Sequence, residues 1–280
     1  MKIHREMMHG KHACSVFNPD AAGVPILALH GFTGSGSDWA PIAARLGHRM
    51  LAPDVIGHGD SPSPEDWESY RIGGVVEQCL AWCGEEPNWV LVGYSMGGRV
   101  ALRLAPKLGR RLRGMVLISA SPGLESPVER TERMARDQAL AGSIEEEGMA
   151  WFHAHWSSQP IIESQKDIPA EIRGPMQARR EENRPAGLAG SLRGMGQGAV
   201  DPVWERLKHV QVPTLLVTGT RDSRYTDIAQ RSALAIPDAH HVAIPDAGHC
   251  THLEAIGPVV DAMRAFLDGL PNEGPGGVVG

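Results

Sequence analysis

The feature that most constrains this chain is a Gly-Tyr-Ser-Met-Gly motif at residues 93–97, which stands between two apolar runs of different period. The run before it, 89–92, is short and partly β-branched, which is typical of a buried strand. The run after it, 98–108, carries apolar residues at helical spacing. A serine on a sharp turn from strand to helix exposes its hydroxyl above the sheet, and flanking glycines remove side chains that would collide there. This context predicts a nucleophile elbow with Ser95 at its tip.

Strands and helices alternate along most of the chain. Apolar runs predict strands at 24–29, 49–52, 89–93, 115–118, 214–218 and 241–244, with helical patterns at 39–46, 67–83, 98–108 and 257–267. Such alternation favours an α/β fold, a mostly parallel sheet covered by helices on both faces. A length of 280 residues suits one large domain with a smaller insertion.

The stretch 123–201 interrupts this alternation. It has no convincing strand and many charges, and it is too long for a plain loop, since loops above roughly 15 residues are uncommon. We interpret it as an inserted helical cap. The core then consists of residues 1–122 and 202–269, and the Gly- and Pro-rich residues 270–280 are expected to be a disordered tail.

Charge and composition exclude several classes of protein. The net charge is −6 and charges of both signs are interspersed, which argues against nucleic acid as the main partner. No apolar stretch approaches the roughly 20 residues that span a bilayer, and the first residues lack the apolar core of a signal peptide. We therefore expect a cytoplasmic protein without membrane insertion; the oligomeric state is unknown.

The four cysteines show no disulfide framework. Cys79 and Cys83 lie four residues apart on a predicted helix, where a metal or redox pair is conceivable. Free cysteines usually behave as small apolar residues, so we interpret both as core residues. His58, in a turn at 57–61, has no partner residues at metal-ligand spacing, and no metal is expected.

Ser95 needs a histidine to take its proton and a carboxylate to orient that histidine. On folds with this elbow the chain order is serine, acid, histidine, and each residue follows a strand. Asp222 follows the predicted strand at 214–218, and His249 follows the last one in a Gly-His turn. Asp227 and Asp246 are weaker alternatives for the acid, because neither directly follows a strand.

Two backbone N–H groups are expected to stabilise an oxyanion. Met96 opens the helix after Ser95, so its N–H points towards the site. The second donor should come from the loop after the early strand, where residues 30–32 read His-Gly-Phe and the N–H of Phe32 is the natural candidate. His30 is interpreted as a structural histidine that holds this loop.

With these residues in place, the chain resembles the α/β-hydrolase superfamily from about residue 24 to residue 267. It is most similar to the branch of 2-succinyl-6-hydroxy-2,4-cyclohexadiene-1-carboxylate synthases, which act in menaquinone biosynthesis. The resemblance lies in His-Gly-Phe-Thr-Gly-Ser at 30–35, in the elbow at 93–99 and in cap segments at 121–124, 156–160 and 187–196. The cap segments are the more specific part, because caps vary between branches.

The resemblance implies a lyase that removes pyruvate from a cyclohexene carboxylate by proton abstraction, without a cofactor. Ser95, activated by His249 and Asp222, would be the base. The alternatives are a serine hydrolase acting on an ester or a carbon–carbon bond with the same residues, and a catalytically silent ligand-binding protein. The complete set of serine, histidine and aspartate argues against the silent protein.

The resemblance also implies a site for a small polycarboxylate substrate. Its substrate-binding residues would be Tyr94, Arg99, Arg133, Trp156 and Arg180. Arginine suits carboxylates because its planar fork binds both oxygens. Three alternatives stay open: Arg130 in place of Arg133, Arg179 in place of Arg180, and a plain salt bridge for Arg99. The chain departs mildly from the family with Arg-Tyr at 224–225, where Lys-Phe is usual, and with Ile56 in place of a proline.

Overall fold

The structure, a computed structural model, describes residues 3–8 and 12–271. Within these ranges the chain forms one eight-stranded sheet. Its strands are β1 (Ile3–Met8), β2 (His12–Phe17), β3 (Ile26–Leu29), β4 (Met50–Pro53), β5 (Trp89–Tyr94), β6 (Leu112–Ile118), β7 (Thr214–Gly219) and β8 (Ala239–Ile244). The order across the sheet is β1-β2-β4-β3-β5-β6-β7-β8. The β1–β2 and β2–β4 pairs are antiparallel and every other pair is parallel. The prediction of a mostly parallel sheet is therefore confirmed, and β1 and β2 extend it beyond the predicted strands.

Helices cover both faces of the sheet and its upper edge. They are α1 (Ala40–Leu46), α2 (Ile72–Cys83), α3 (Met96–Leu108), α4 (Pro127–Ser157), α5 (Pro160–Glu163), α6 (Ala170–Glu181), α7 (Pro185–Met195), α8 (Ser223–Ala235), α9 (Thr251–Glu254) and α10 (Ile256–Asp268). Short 3₁₀ turns occur at Gly36–Trp39, Trp67–Tyr70, Gly109–Arg111, Ser164–Asp167 and Trp204–His209. Among the described residues, no helix is both long and apolar enough to cross a bilayer.

The central strands are apolar on both sides, which explains their continuous rather than alternating hydrophobic pattern. In β5, Leu91 packs into the core cluster that includes α2 and α3, whereas Val90 and Val92 pack into the cluster that includes α1 and α10. Parallel strands end at one edge of the sheet. The loops after β3, β5, β7 and β8 therefore converge there.

Helices α4 to α7 occupy the stretch for which the sequence predicts a cap. Part of this segment has its own small core, in which Phe152 of α4 packs with Leu188 and Leu192 of α7. The long helix α4 is broken at Gly148, where φ is 79° and the helical conformation is lost. The exact domain limits at 123 and 201 stay predictions.

Three boundaries differ from the sequence prediction. The helix expected at 67–83 is divided at Arg71, whose extended ψ of 133° separates a 3₁₀ turn from α2. The helix expected from residue 39 begins at Ala40, because Gly36–Trp39 form a 3₁₀ turn in which the carboxylate of Asp38 accepts the N–H of Ser35. The predicted tail begins too early, because Leu270 is buried in the core cluster around α10. The remainder of that tail, from residue 272, lies outside the described residues.

Candidate active site

Ser95 stands at the turn between β5 and α3 in a strained conformation, with φ of 49° and ψ of −105°. Glycine is required on both sides of it. A Cβ on Gly93 would lie 2.7 Å from the carbonyl oxygen of Gly97, and a Cβ on Gly97 would lie 2.1 Å from that of Leu29. The motif at 93–97 therefore has the backbone geometry of a nucleophile elbow, with Ser95 at the end of β5.

His249 lies between Ser95 and Asp222. Its Nδ1–H donates to Oδ2 of Asp222 over 2.6 Å, which leaves Nε2 as the acceptor for the Ser95 hydroxyl, 3.0 Å away. His249 is 6% exposed, so bulk water does not compete for these bonds. Asp222 also accepts the N–H of Tyr225 at the start of α8, which fixes the carboxylate. The partner of His249 is thus Asp222, and neither Asp227 nor Asp246 bonds to it among the described residues.

The two amides expected to form an oxyanion hole are free to donate. In the described part of the chain, neither the N–H of Phe32 nor that of Met96 has a protein acceptor, and both residues line the cavity above Ser95. The Met96 amide is free because the first N–H groups of a helix have no partner within the helix. Gly31 lets the first loop approach, since a Cβ there would lie 2.6 Å from the ring of Tyr94.

Glu254, which the sequence analysis did not identify, holds the loop that carries His249. Its carboxylate accepts the N–H groups of both neighbours of the histidine, Gly248 over 2.6 Å and Cys250 over 3.0 Å. The hydroxyl of Ser164, from the cap segment, donates to the same carboxylate over 2.9 Å. Glu254 thus connects the histidine loop to the cap. A glutamate five residues after a catalytic-type histidine was the only signal in the sequence.

A cavity of about 900 Å³ opens above Ser95, between the sheet edge and the cap. All of the predicted site residues line it except Asp222, which lies behind His249. Its charged lining includes five arginines and three carboxylates, which are Arg99, Arg133, Arg136, Arg180, Arg224, Glu129, Glu132 and Asp137. The cavity is therefore suited to an anionic ligand.

Arg99 is a buried cation without a counterion. It is 6% exposed and donates through Nη2 to the carbonyl of Met195 over 3.0 Å, and its Nε has no partner. Burial lowers the pKa of Arg99 to about 10, so it stays charged at neutral pH. Within the described residues it forms no ion pair, so the interpretation of Arg99 as a plain salt-bridge residue is wrong.

The structure separates the paired alternatives for the cap arginines. Arg133 lines the cavity and is oriented by Asp137, which accepts from its Nε over 2.8 Å, whereas Arg130 donates to the backbone carbonyls of residues 124 and 125. Arg180 lines the cavity with Nη1 on Gln165, 2.7 Å away, whereas the neighbouring Arg179 forms an ion pair with Asp38 outside it. Arg133 and Arg180 therefore line the cavity, whereas Arg130 and Arg179 do not.

Trp156 and Tyr94 are two of the aromatic residues that line the cavity. Trp156 stacks on Phe152 with ring centroids 5.6 Å apart and meets Phe32 edge-on at 5.3 Å, so its ring forms a fixed wall. Tyr94 is buried between His249 and His252, and burial raises the pKa of its phenol well above the usual value. Its hydroxyl therefore stays protonated.

His30, His58 and Cys250 lie near the site but outside the catalytic arrangement. As predicted, His30 holds its loop, because Nε2 accepts the N–H of Val55 over 2.9 Å and Nδ1–H donates to Gly31. Burial lowers the pKa of His58 to about 3 and raises that of the Cys250 thiol to about 12, so both stay neutral.

Cys79 and Cys83 are free and buried, and the described residues contain no cluster of His, Cys, Asp or Glu that could hold a metal ion.

Comparison with known proteins agrees with this geometry. A family model described as "Alpha/beta hydrolase family" matches residues 26–262. The chain is 30% identical over 244 residues to the 2-succinyl-6-hydroxy-2,4-cyclohexadiene-1-carboxylate synthase of Serratia proteamaculans (strain 568), covering 86% of this chain and 92% of that protein. It is 34% identical to a Bacillus subtilis (strain 168) protein that carries the same synthase name provisionally, covering 87% of this chain and 90% of that one.

Among solved structures, MenH from S. aureus superimposes with a TM-score of 0.85 at 28% identity, covering 91% of this chain and 97% of that one. The match therefore includes both the sheet and most of the segment above it. The chain belongs to the alpha/beta hydrolase family of enzymes, among relatives named as 2-succinyl-6-hydroxy-2,4-cyclohexadiene-1-carboxylate synthases.

Proposed function

We propose that this protein is a lyase that eliminates pyruvate from 2-succinyl-5-enolpyruvyl-6-hydroxy-3-cyclohexene-1-carboxylate to give 2-succinyl-6-hydroxy-2,4-cyclohexadiene-1-carboxylate. The observation that carries the proposal is a cavity with five arginines above a Ser95–His249–Asp222 arrangement, because a polycarboxylate substrate needs several cations. The names of the relatives supply the identity of the substrate.

The proposed reaction begins with a proton transfer. Nε2 of His249 takes the proton of the Ser95 hydroxyl, and the Ser95 oxygen removes a proton from a ring carbon of the substrate. Asp222 holds the imidazole in the correct tautomer and stabilises the imidazolium. No acyl-enzyme is needed, so Ser95 acts as a base rather than as a nucleophile.

The electrons released by this proton move towards the succinyl carbonyl oxygen, where negative charge develops. The N–H groups of Phe32 and Met96 donate to that oxygen, and each such donor is typically worth about 3–4 kcal/mol. Return of the electrons leaves two double bonds in the ring and breaks the bond between the ring carbon and the enol oxygen. Pyruvate leaves as its enolate, which takes up the proton held by His249, so that the imidazole is neutral again. No cofactor supplies any step.

Three arginines from different helices recognise the carboxylates. Arg99 lies one helical turn after Ser95, whereas Arg133 and Arg180 belong to the cap. The ring of Trp156 packs against the cyclohexene. These contacts do more than increase affinity for the substrate. They also hold the reacting ring carbon near Ser95 in a fixed orientation.

The test is release of pyruvate from the enolpyruvyl substrate by purified protein without added metal or cofactor. We expect prompt release that Ser95→Ala abolishes. Hydrolysis of simple aryl esters without pyruvate release would replace the lyase with a serine hydrolase that uses the same residues. The absence of both activities would contradict any catalytic role for Ser95.

The cap arginines can be tested with a matched pair. We expect Arg133→Ala to raise KM for the polycarboxylate substrate about tenfold or more, because a hydrogen bond to a charged group is worth about 1.5–3 kcal/mol. Arg130→Ala, one turn away on α4 and bonded to backbone carbonyls, should leave KM within about twofold. Steady-state kinetics of both variants checks this. Equal effects on KM would contradict the assignment of Arg133, rather than Arg130, as the substrate-binding arginine of α4.

A further inference from the structure

Tyr225 contacts His249 and Asp222, two of the three residues of the catalytic arrangement, but does not bond to Ser95. Its ring centroid lies 4.4 Å from that of His249, and its backbone N–H donates to Oδ1 of Asp222. The residue is 6% exposed, so its ring is a wall against which the imidazole rests. The plane of His249 is therefore constrained by the position of this ring.

The hydroxyl of Tyr225 reaches out of the core towards the cap segment. It accepts a hydrogen bond of 2.8 Å from Nε2 of Gln197, which is 28 residues earlier in the chain and follows α7. Both groups are buried, and a buried hydroxyl without a partner is costly. The bond consequently fixes the orientation of the tyrosine ring and joins the cap segment to the loop that carries Asp222.

The same amide of Gln197 also contacts the substrate-binding side of the cavity. Its Oε1 accepts from Nη1 of Arg133 over 3.4 Å, and Arg133 is in turn held by Asp137. A chain of hydrogen bonds thus leads from the cap arginine through Gln197 to Tyr225, whose ring rests on His249. Phenylalanine at position 225 would provide the ring but not this connection.

We propose that Tyr225 is a positioning residue for His249 and that the cap residue Gln197 sets its position through the tyrosine hydroxyl. The inference rests on the catalytic roles proposed for Ser95 and His249 and is independent of which substrate they act on. It predicts that the hydroxyl, which bonds to Gln197 and not to Ser95 or His249, contributes to the reactivity of Ser95 through the position of the tyrosine ring.

The experiment compares Tyr225→Phe, Gln197→Met and the double variant with the native protein. The first readout is the rate at which a small neutral serine-directed phosphonate labels Ser95, which depends on the Ser95–His249 pair and not on the arginines. We expect each single variant to be labelled about three- to tenfold more slowly, the value of one neutral hydrogen bond. The double variant should be no slower than either single one, because both changes remove the same bond.

The matched control is Tyr70→Phe, which removes a part-buried hydroxyl that donates to the carbonyl of Pro64 over 2.8 Å, away from His249. Its labelling rate should be unchanged. The second readout is a kinetic split with the native substrate, in which Tyr225→Phe should lower kcat by more than it raises KM. If the Tyr225 hydroxyl had a merely structural role, Tyr225→Phe would lower Tm without lowering kcat by more than it raises KM.

Native labelling with no pyruvate release would overturn the proposed lyase but leave the inference testable by labelling. Labelling of Tyr225→Phe at the native rate, or multiplication of the two effects in the double variant, would overturn the positioning role. Absence of labelling in the native protein would overturn it as well, because no reactive pair would then exist for Tyr225 to position.

Discussion

Ser95→Ala, His249→Ala and Asp222→Asn are each expected to lower kcat by about three orders of magnitude or more. Ser95 and Nε2 of His249 are 3.0 Å apart, and Asp222 bonds to Nδ1 over 2.6 Å, so each residue depends on the next. Removal of any member of such a set typically costs about 10³–10⁶ in kcat, and the effects are strongly non-additive. We therefore expect the double variant Ser95→Ala/His249→Ala to be hardly slower than either single variant.

Single-turnover release of pyruvate measures these losses, and circular dichroism with a thermal melt checks that each variant is folded. Asp227→Asn and Asp246→Asn are the matched controls for Asp222→Asn, because both acids come from the same part of the chain but do not bond to His249. Their kcat should stay near the native value. A loss in Asp246→Asn as large as that in Asp222→Asn would contradict the assignment of the acid.

The catalytic arrangement was predictable because its parts are local. Ser95 follows from a motif with a strand before it and a helix after it, and Asp222 and His249 each follow a late strand. In a parallel sheet the ends of those strands meet at one edge, so chain order alone places the three residues together. The strain at Ser95 and the glycines that permit it are part of the same short motif.

What the sequence did not reveal depends on contacts between distant segments. Strand β2 was missed because it is buried on both faces and contains buried polar residues, His12 and Ser15, which hide any hydrophobic period. Gln197 belongs to an aperiodic stretch, and only the folding of the cap brings it to Tyr225.

The cap arginines show the same limit on a smaller scale. Arg179 and Arg180 are adjacent and point about 100° apart on a helix, so the side that faces the cavity depends on how α6 packs. The sequence left both possible, and the ion pair of Arg179 with Asp38 decides it. Arg130 and Arg133 are distinguished in the same way by their hydrogen-bond partners: Arg130 bonds to a backbone carbonyl, whereas Arg133 bonds to Asp137.

Arg99→Met is expected to raise KM for the polycarboxylate substrate about a hundredfold while leaving the fold as stable as before. The guanidinium is buried, and in the described residues no carboxylate pairs with it; its nearest acceptor is the carbonyl of Met195. Removing water from an unpaired charge costs folding free energy, so this residue does not stabilise the fold as an ordinary salt bridge would. A substrate carboxylate would supply the missing charge, and loss of one partner of such a buried pair costs about 2–5 kcal/mol of binding.

The contrast between a raised KM and an unchanged stability makes this a sharp test. The free energy of unfolding of Arg99→Met, from urea denaturation, should change by less than about 1 kcal/mol, because the desolvation penalty and the bond to Met195 are lost together.

Arg103→Met is the control. Arg103 lies one turn further along α3, bonds the carbonyls of Arg99 and Asp201, and does not line the cavity, so its loss should lower stability and leave KM unchanged. An Arg99→Met protein that is several kcal/mol less stable but has a native KM would show that the buried charge serves the fold. A stable protein with a raised KM would mean that the charge is kept buried for the ligand.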